Sequence, residues 1–171
     1  MILTNKGDEF DRMNAQEEDV CEAVNPVTAE CAACRKRLLP SLMKVLADNK
    51  HRDYPQSIFE IGDVVVPDKT RETGARAVRM LACAISNSVV SYEAISSYLD
   101  ALLRSLGVDY RLRRTEHNSF IKGRCAEILV DNKSIGVIGE VHPHVLEKWN
   151  LEKPVVAFEL DAEEIFNLKK F

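Results

Sequence analysis

The stretch from Ile135 to Leu160, IGVIGEVHPHVLEKWNLEKPVVAFEL, constrains the fold more than any other part of the chain. Its opening residues, Ile135 to Val141, form an apolar strand interrupted by Gly136 and Gly139. A glycine in a strand gives up side-chain packing, so two of them point to another backbone passing close by. His142-Pro143 ends the strand, and proline suits the first position of a helix because its missing N–H would have had no partner there. Val145, Leu146 and Trp149 then share one helical face. Asn150 can end that helix, and Pro154 opens a second apolar run, Val155-Val156-Ala157-Phe158. Strand, helix and strand at this spacing can form a crossover unit whose sheet is buried on at least one face.

The chain has 171 residues, enough for one domain with a proper core and too few for two. Residues 1–171 are therefore expected to form a single domain. Met1 to Thr4 is a scrap of apolar sequence followed by a polar segment, and a domain rarely begins mid-strand, so the chain is expected to be a piece of a longer polypeptide. With 46% hydrophobic and 29% charged residues it has the balance of an ordered soluble domain. No apolar run approaches a membrane span, and the first residues lack a signal-peptide pattern. The net charge of −4 argues against a free-standing nucleic-acid binder, while leaving room for a partner that carries nucleic acid. Five cysteines without framework spacing fit a reducing cytoplasm.

Taken in order, Val20 to Val24 reads as a short strand ended by Asn25-Pro26. A helix start is expected at Thr28. Leu38, Leu39, Leu42, Val45 and Leu46 repeat at helical spacing, with Pro40 either kinking one helix or starting a new one. Ile58 to Val66 is strand-like and closes at Pro67-Asp68. Ala75 to Ser86 reads as a central strand. Ser91 can cap a helix with Ile95, Leu99, Leu102, Leu103 and Leu106 on its buried stripe, ended by Gly107. Val108 to Arg114 alternates as a strand. Cys125 to Val130 and Ser134 to Val141 flank Asp131-Asn132-Lys133 as a hairpin, and Ile165, Phe166 and Leu168 mark a closing helix. The sum is an α+β domain of about seven strands and three or four helices on a largely antiparallel sheet.

Several pieces coincide in order: Asn25-Pro26, R-x-x-L-L-P-S-L from Arg35, Asn49-Lys50, Y-P-Q-x-I-F-E-I-G-D-V-V from Tyr54, I-K-G-R from Ile121, I-G-x-I-G-E-V-H-P-x-V-L from Ile135 and P-V-x-A-F-E-L from Pro154. This series resembles the C-terminal part of the β subunit of phenylalanyl-tRNA synthetases of archaeal and eukaryotic type, over nearly the whole chain. The resemblance implies a class II aminoacyl-tRNA synthetase-like antiparallel sheet flanked by helices, without catalytic residues. It also implies an α subunit as partner, holding the ATP, Mg²⁺ and phenylalanine chemistry, with tRNA reached through the α₂β₂ complex. This chain itself is expected to bind no cofactor or metal and to have no membrane role.

Class II chemistry meets charge on phosphate oxygens with fixed arginines. Here the glycine-rich strand Ile135–Val141 has no arginine after it, since Arg124 is the last in the chain. By analogy with the class II dimer element, Leu38, Leu42, Val45 and Leu46 are expected either to anchor the α subunit or to face the domain's own sheet. Arg111, Arg113, Lys122 and Arg124 form the one basic concentration, open to tRNA phosphate contacts or to a solvated face. Cys31 and Cys34 are expected on a helix near the core, and Cys21, Cys83 and Cys125 as small core residues. His142-Pro143-His144 is expected to cap a helix rather than bind metal. The alternatives are a self-standing paralogue that binds an amino acid or nucleotide in the remnant cleft, and a plain protein-interaction domain.

Overall fold

Alternating apolar strands build one large sheet in the computed structural model, which describes residues 2–169. A two-stranded sheet pairs β1 (Leu3–Thr4) with β2 (Ala33–Cys34). Helix α1 (Leu39–Asp48) leads into the long hairpin of β3 (Gln56–Pro67) and β4 (Ala75–Ser86). Helix α2 (Tyr92–Ser105) precedes β5 (Arg111–Arg114), β6 (Phe120–Val130) and β7 (Lys133–Val141). The short helix α3 (Pro143–Lys148), β8 (Val155–Asp161) and α4 (Ala162–Lys169) finish the chain. The side chain of Leu168, and Lys170 and Phe171, lie outside the described residues.

The large sheet has the order β3-β4-β8-β7-β6-β5, with every neighbouring pair antiparallel. Strand β8 lies inside it and is covered on both faces, which is why Val155 to Leu160 reads as an almost unbroken apolar run. Val155 and Ala157 join one core with Leu39, Leu42, Met43 and Leu46 of α1. Val156, Phe158 and Leu160 join another with Ile95, Leu99 and Leu103 of α2 and Ile165 of α4. The sheet is thus the middle of three layers.

Several expectations change. The Ile135–Leu160 unit is antiparallel rather than a crossover: Val145, Trp149 and Leu151 of the connection pack into the α1-side core, and β8 returns beside β7 in the reverse direction. Val20 to Val24 forms only an isolated bridge, Glu22 to Ala33, and Val24 is 94% exposed. The segment pairs with β2 only over Cys21 to Ala23, too short a stretch for a named strand. The helix expected from Thr28 divides into a 3-10 turn (Ala29–Cys31), the strand β2, and α1 starting afresh with Pro40 in its first turn. Cys31 consequently sits in the 3-10 turn and Cys34 in a strand rather than together on one helix, and Cys21, Cys31 and Cys34 are all half-buried. Cys83 and Cys125 do lie in the core. The hairpin forms where expected but with a turn one residue shorter: Lys133 pairs with Val130 as the first residue of β7, and Asp131 and Asn132 both have positive φ, 50° and 65°, the geometry of a two-residue turn.

Candidate functional site

The loop between β2 and α1, Arg35 to Leu38, is where the layers are fastened together. Arg35 is 3% exposed. Its Nη1 lies 2.8 Å from Glu60 on β3, its Nε donates to the carbonyl of Asp63 at 3.0 Å, and its own carbonyl accepts from Val65 N–H at 2.9 Å. Such a guanidinium is held in one place by a planar fork of bonds. Gly62 is part of the same joint, since a Cβ there would meet Arg35 Nη2 at 2.5 Å.

Two buried carboxylates complete the joint. Glu159 on β8 accepts the backbone N–H of Leu38 at 2.6 Å and of Leu39 at 3.2 Å, capping α1 from the sheet face beneath it. Glu9, in the π-helical turn Gly7–Asp11, accepts Lys36 N–H at 3.0 Å through Oε1, while its Oε2 is buried without a hydrogen-bond partner. Burial pushes the carboxyl of Glu9 up to about 7 against the pull of Arg37. Burial raises Glu159 too, opposed by the two N–H donors. Sequence reasoning missed both groups. The available signal was a glutamate inside the apolar strand V-V-A-F-E-L.

Next to this joint lies a cleft of about 340 Å³, lined by Arg37, Met80, His117, Glu127, Gly136 and Glu159 among others. Its guanidinium, Arg37, is paired with Glu18 at 3.2 Å. His117 is held below its ordinary pKa by burial and by Arg37, so it stays neutral at neutral pH. Glu159 is engaged by α1. The cleft therefore lacks a pair of uncommitted cations of the kind that would grip a triphosphate. Among the described residues no three His, Cys, Asp or Glu side chains gather as a metal site.

The remaining candidates separate cleanly. Leu38, Leu42 and Leu46 are buried in the domain's own core, 0%, 3% and 1% exposed, while Val45 is 45% exposed. The aliphatic stripe thus faces the sheet, and only Val45 faces outward. On the edge strand β3, Phe59 and Ile61 are exposed, 73% and 56%. Of the basic group, Arg113 is paired with Glu127, Lys122 with Glu116 at 2.8 Å, and Arg124 with Glu140 at 2.6 Å. Arg111 is exposed on the outer strand β5. Glu140 also accepts Tyr92 N–H at 3.2 Å, so it caps α2 where Ser91 was expected to. His142 caps α3 through Nδ1, accepting from His144 N–H at 3.1 Å.

Comparison with known proteins supplies the family. The model of the phenylalanyl tRNA synthetase beta chain CLM domain matches residues 2–162. The chain belongs to that family. It is 49% identical over 164 residues to the phenylalanine–tRNA ligase beta subunit of Pyrococcus abyssi, covering 96% of this chain and 30% of the relative. It is 46% identical over 164 residues to that of Pyrococcus furiosus, with the same coverage. To that of Methanocaldococcus jannaschii it is 45% identical over 163 residues, 95% of this chain and 30% of the relative. The chain thus spans about 30% of the length of these relatives.

Several residues of the motifs quoted above form the joints just described. Arg35, Glu60, Gly62 and Asp63 fix the β2–α1 loop to β3. Glu140 joins β7 to α2 and to Arg124, and Glu159 joins β8 to α1. At Gly136 a Cβ would meet the carbonyl oxygen of Glu159 at 2.2 Å, and at Gly139 that of Arg124 at 2.9 Å. The close backbone expected from the two strand glycines is β8 beside the first and β6 beside the second.

Proposed function

We propose that this chain is a non-catalytic, class II synthetase-like module of a phenylalanine–tRNA ligase β subunit. It serves the attachment of phenylalanine to tRNA by holding an α subunit that carries the ATP and Mg²⁺ chemistry in the cytoplasm. The observation that carries this reading is that Arg35, Glu60, Glu140 and Glu159 of the quoted motifs are spent on internal joints. The arginine in the cleft is neutralised by Glu18, which leaves nothing to meet phosphate charge.

The α subunit would meet the outer side of α1 and the β3 edge. Of the four residues first considered, Leu38, Leu42 and Leu46 would shape that surface from beneath, and Val45 would touch the partner together with Phe59 and Ile61. β3 is an edge strand, with Val45 of α1 exposed on one side of it and Phe59 and Ile61 exposed on the other, and a partner gripping that edge would reach all three. Contact with tRNA would fall on Arg111, with Arg113, Lys122 and Arg124 contributing only by giving up their carboxylate partners.

The test is co-purification with an α subunit, followed by phenylalanine-dependent ATP–pyrophosphate exchange with and without it. Exchange is expected only when α is present. Exchange catalysed by this chain alone would overturn the proposal.

A further inference from the structure

The N-terminal arm carries a pair of thiols that the sequence keeps thirteen positions apart and the fold sets face to face. Glu22 pairs with Ala33 as an antiparallel bridge, so the next pair outward is Cys21 with Cys34. Backbone bonds flank that bridge on both sides: Ala23 N–H donates to Ala32 O at 2.9 Å, and Cys34 N–H donates to Cys21 O at 2.8 Å. Directly opposed residues on antiparallel strands point to the same face. At a hydrogen-bonded antiparallel position Cα atoms stand typically about 5.5 Å apart, inside the roughly 4.4–6.8 Å that a disulfide bridges, and the Cβ atoms, about 5.5 Å apart there, close by roughly 1 Å to join. Both residues are half-buried, within reach of a small reagent. The local C-x-x-C pair is arranged differently, with Cys31 in a 3-10 turn and Cys34 in the adjoining strand β2.

We propose that Cys21 and Cys34 form a reversible disulfide that staples the N-terminal arm to the strand feeding α1. The oxidant is a low-molecular-weight disulfide of the glutathione class. One protein thiolate attacks it, forming a mixed disulfide and releasing one small thiol. The second protein thiolate then attacks the protein sulfur of that mixed disulfide and releases the other small thiol. Two protein thiols are oxidised and one small disulfide is reduced to two thiols. Burial and the neighbouring Cys21 raise the pKa of Cys34, which disfavours the Cys34 thiolate as the first attacking group.

The staple adds a covalent tie to an arm that is anchored upstream by the buried Phe10 and Met13 and by polar contacts to the β2–α1 loop. Glu9 accepts Lys36 N–H, and Glu18 pairs with Lys36 and Arg37, so the arm lies against the β2–α1 loop. A half-exposed disulfide of this kind is the labile sort, opened again by a reducing thiol pool. Cys83 and Cys125 stand apart from the exchange. Both are buried in the core, and burial pushes each thiol up to about 11.

The experiment is oxidation of the purified chain with oxidised glutathione, alkylation of the remaining thiols, and cleavage after glutamate and arginine. Cuts after Glu18, Glu22, Glu30 and Arg35 leave Cys21 in one peptide and Cys31 with Cys34 in another. The two peptides are expected to be recovered joined, with alkylation lost together at Cys21 and Cys34 and retained at Cys83 and Cys125. In Cys31→Ser the joined pair still forms. In Cys34→Ser it disappears and Cys21 ends as the glutathione adduct. A bond between Cys31 and Cys34 within one peptide, a joined pair that survives Cys34→Ser, or unlinked glutathione adducts in the Cys31→Ser chain would each overturn the proposal.

Discussion

Glu9 and Glu159 show how two carboxylates buried in one molecule come to differ. Glu159 spends both oxygens on the N–H groups that open α1, and helix starts leave such donors without internal partners. Replacing it by leucine would leave two buried N–H groups unpaired, and an unmet buried donor costs roughly 1–3 kcal/mol. Glu159→Leu is therefore expected to lower unfolding stability by about 2–4 kcal/mol in a urea titration, since the two costs add only in part. Glu9 has one oxygen without a partner, and its carboxyl stays protonated up to about pH 7, against 4.5 for an ordinary glutamate. Between those values the folded chain binds more protons than the unfolded chain, so this group's contribution to stability falls as pH rises through the window and is fully lost above it. In Glu9→Gln that slope is expected to vanish. Denaturant titrations of both chains at pH 5 and pH 8 should show the variant gaining on the parent at pH 8, by at most roughly 3 kcal/mol.

At the scale of elements, the glycines differ by what stands opposite them. A Cβ at Gly62 would meet the far end of Arg35, a side chain that can swing at the cost of its bond to Glu60. A Cβ at Gly136 would meet the backbone of β8 at Glu159 and Leu160, which cannot move without parting two paired strands. Gly62→Ala is accordingly expected to cost about 1–2 kcal/mol, and Gly136→Ala about 3 kcal/mol or more, the upper end for overpacking a well-filled interior. Thermal melts read by circular dichroism would order the two; an equal loss would contradict the assigned neighbours. Helix α1 divides in the same way between its faces. Leu42→Ala should cost about 2–5 kcal/mol as a core truncation, whereas Val45→Ala should stay within about 0.5 kcal/mol.

For the whole molecule, the three-layer body leaves one apolar edge uncovered, at β3 with Phe59 and Ile61. Phe59→Glu and Val45→Glu are expected to leave the far-UV spectrum and melting temperature unchanged while abolishing co-purification with an α subunit. Loss of folding in either variant would place these side chains inside the module's own core instead. The sequence by itself determined the elements whose signal is local: the apolar runs of β3 and β4, the stripe of α2, the hairpin turn at Asp131-Asn132-Lys133, and the strand glycines that need a close neighbour. It also determined the family, through motifs in register. Tertiary structure alone decided which side of α1 is core, because a helical stripe looks the same whether it meets its own sheet or a partner. It likewise decided that β7 and β8 run antiparallel, that Glu159 caps a helix far from it in sequence, and that Cys21 rather than Cys31 opposes Cys34. Each of these is a pairing between distant segments, and such pairings are set by how the layers close around the core and not by the order of residues within one segment.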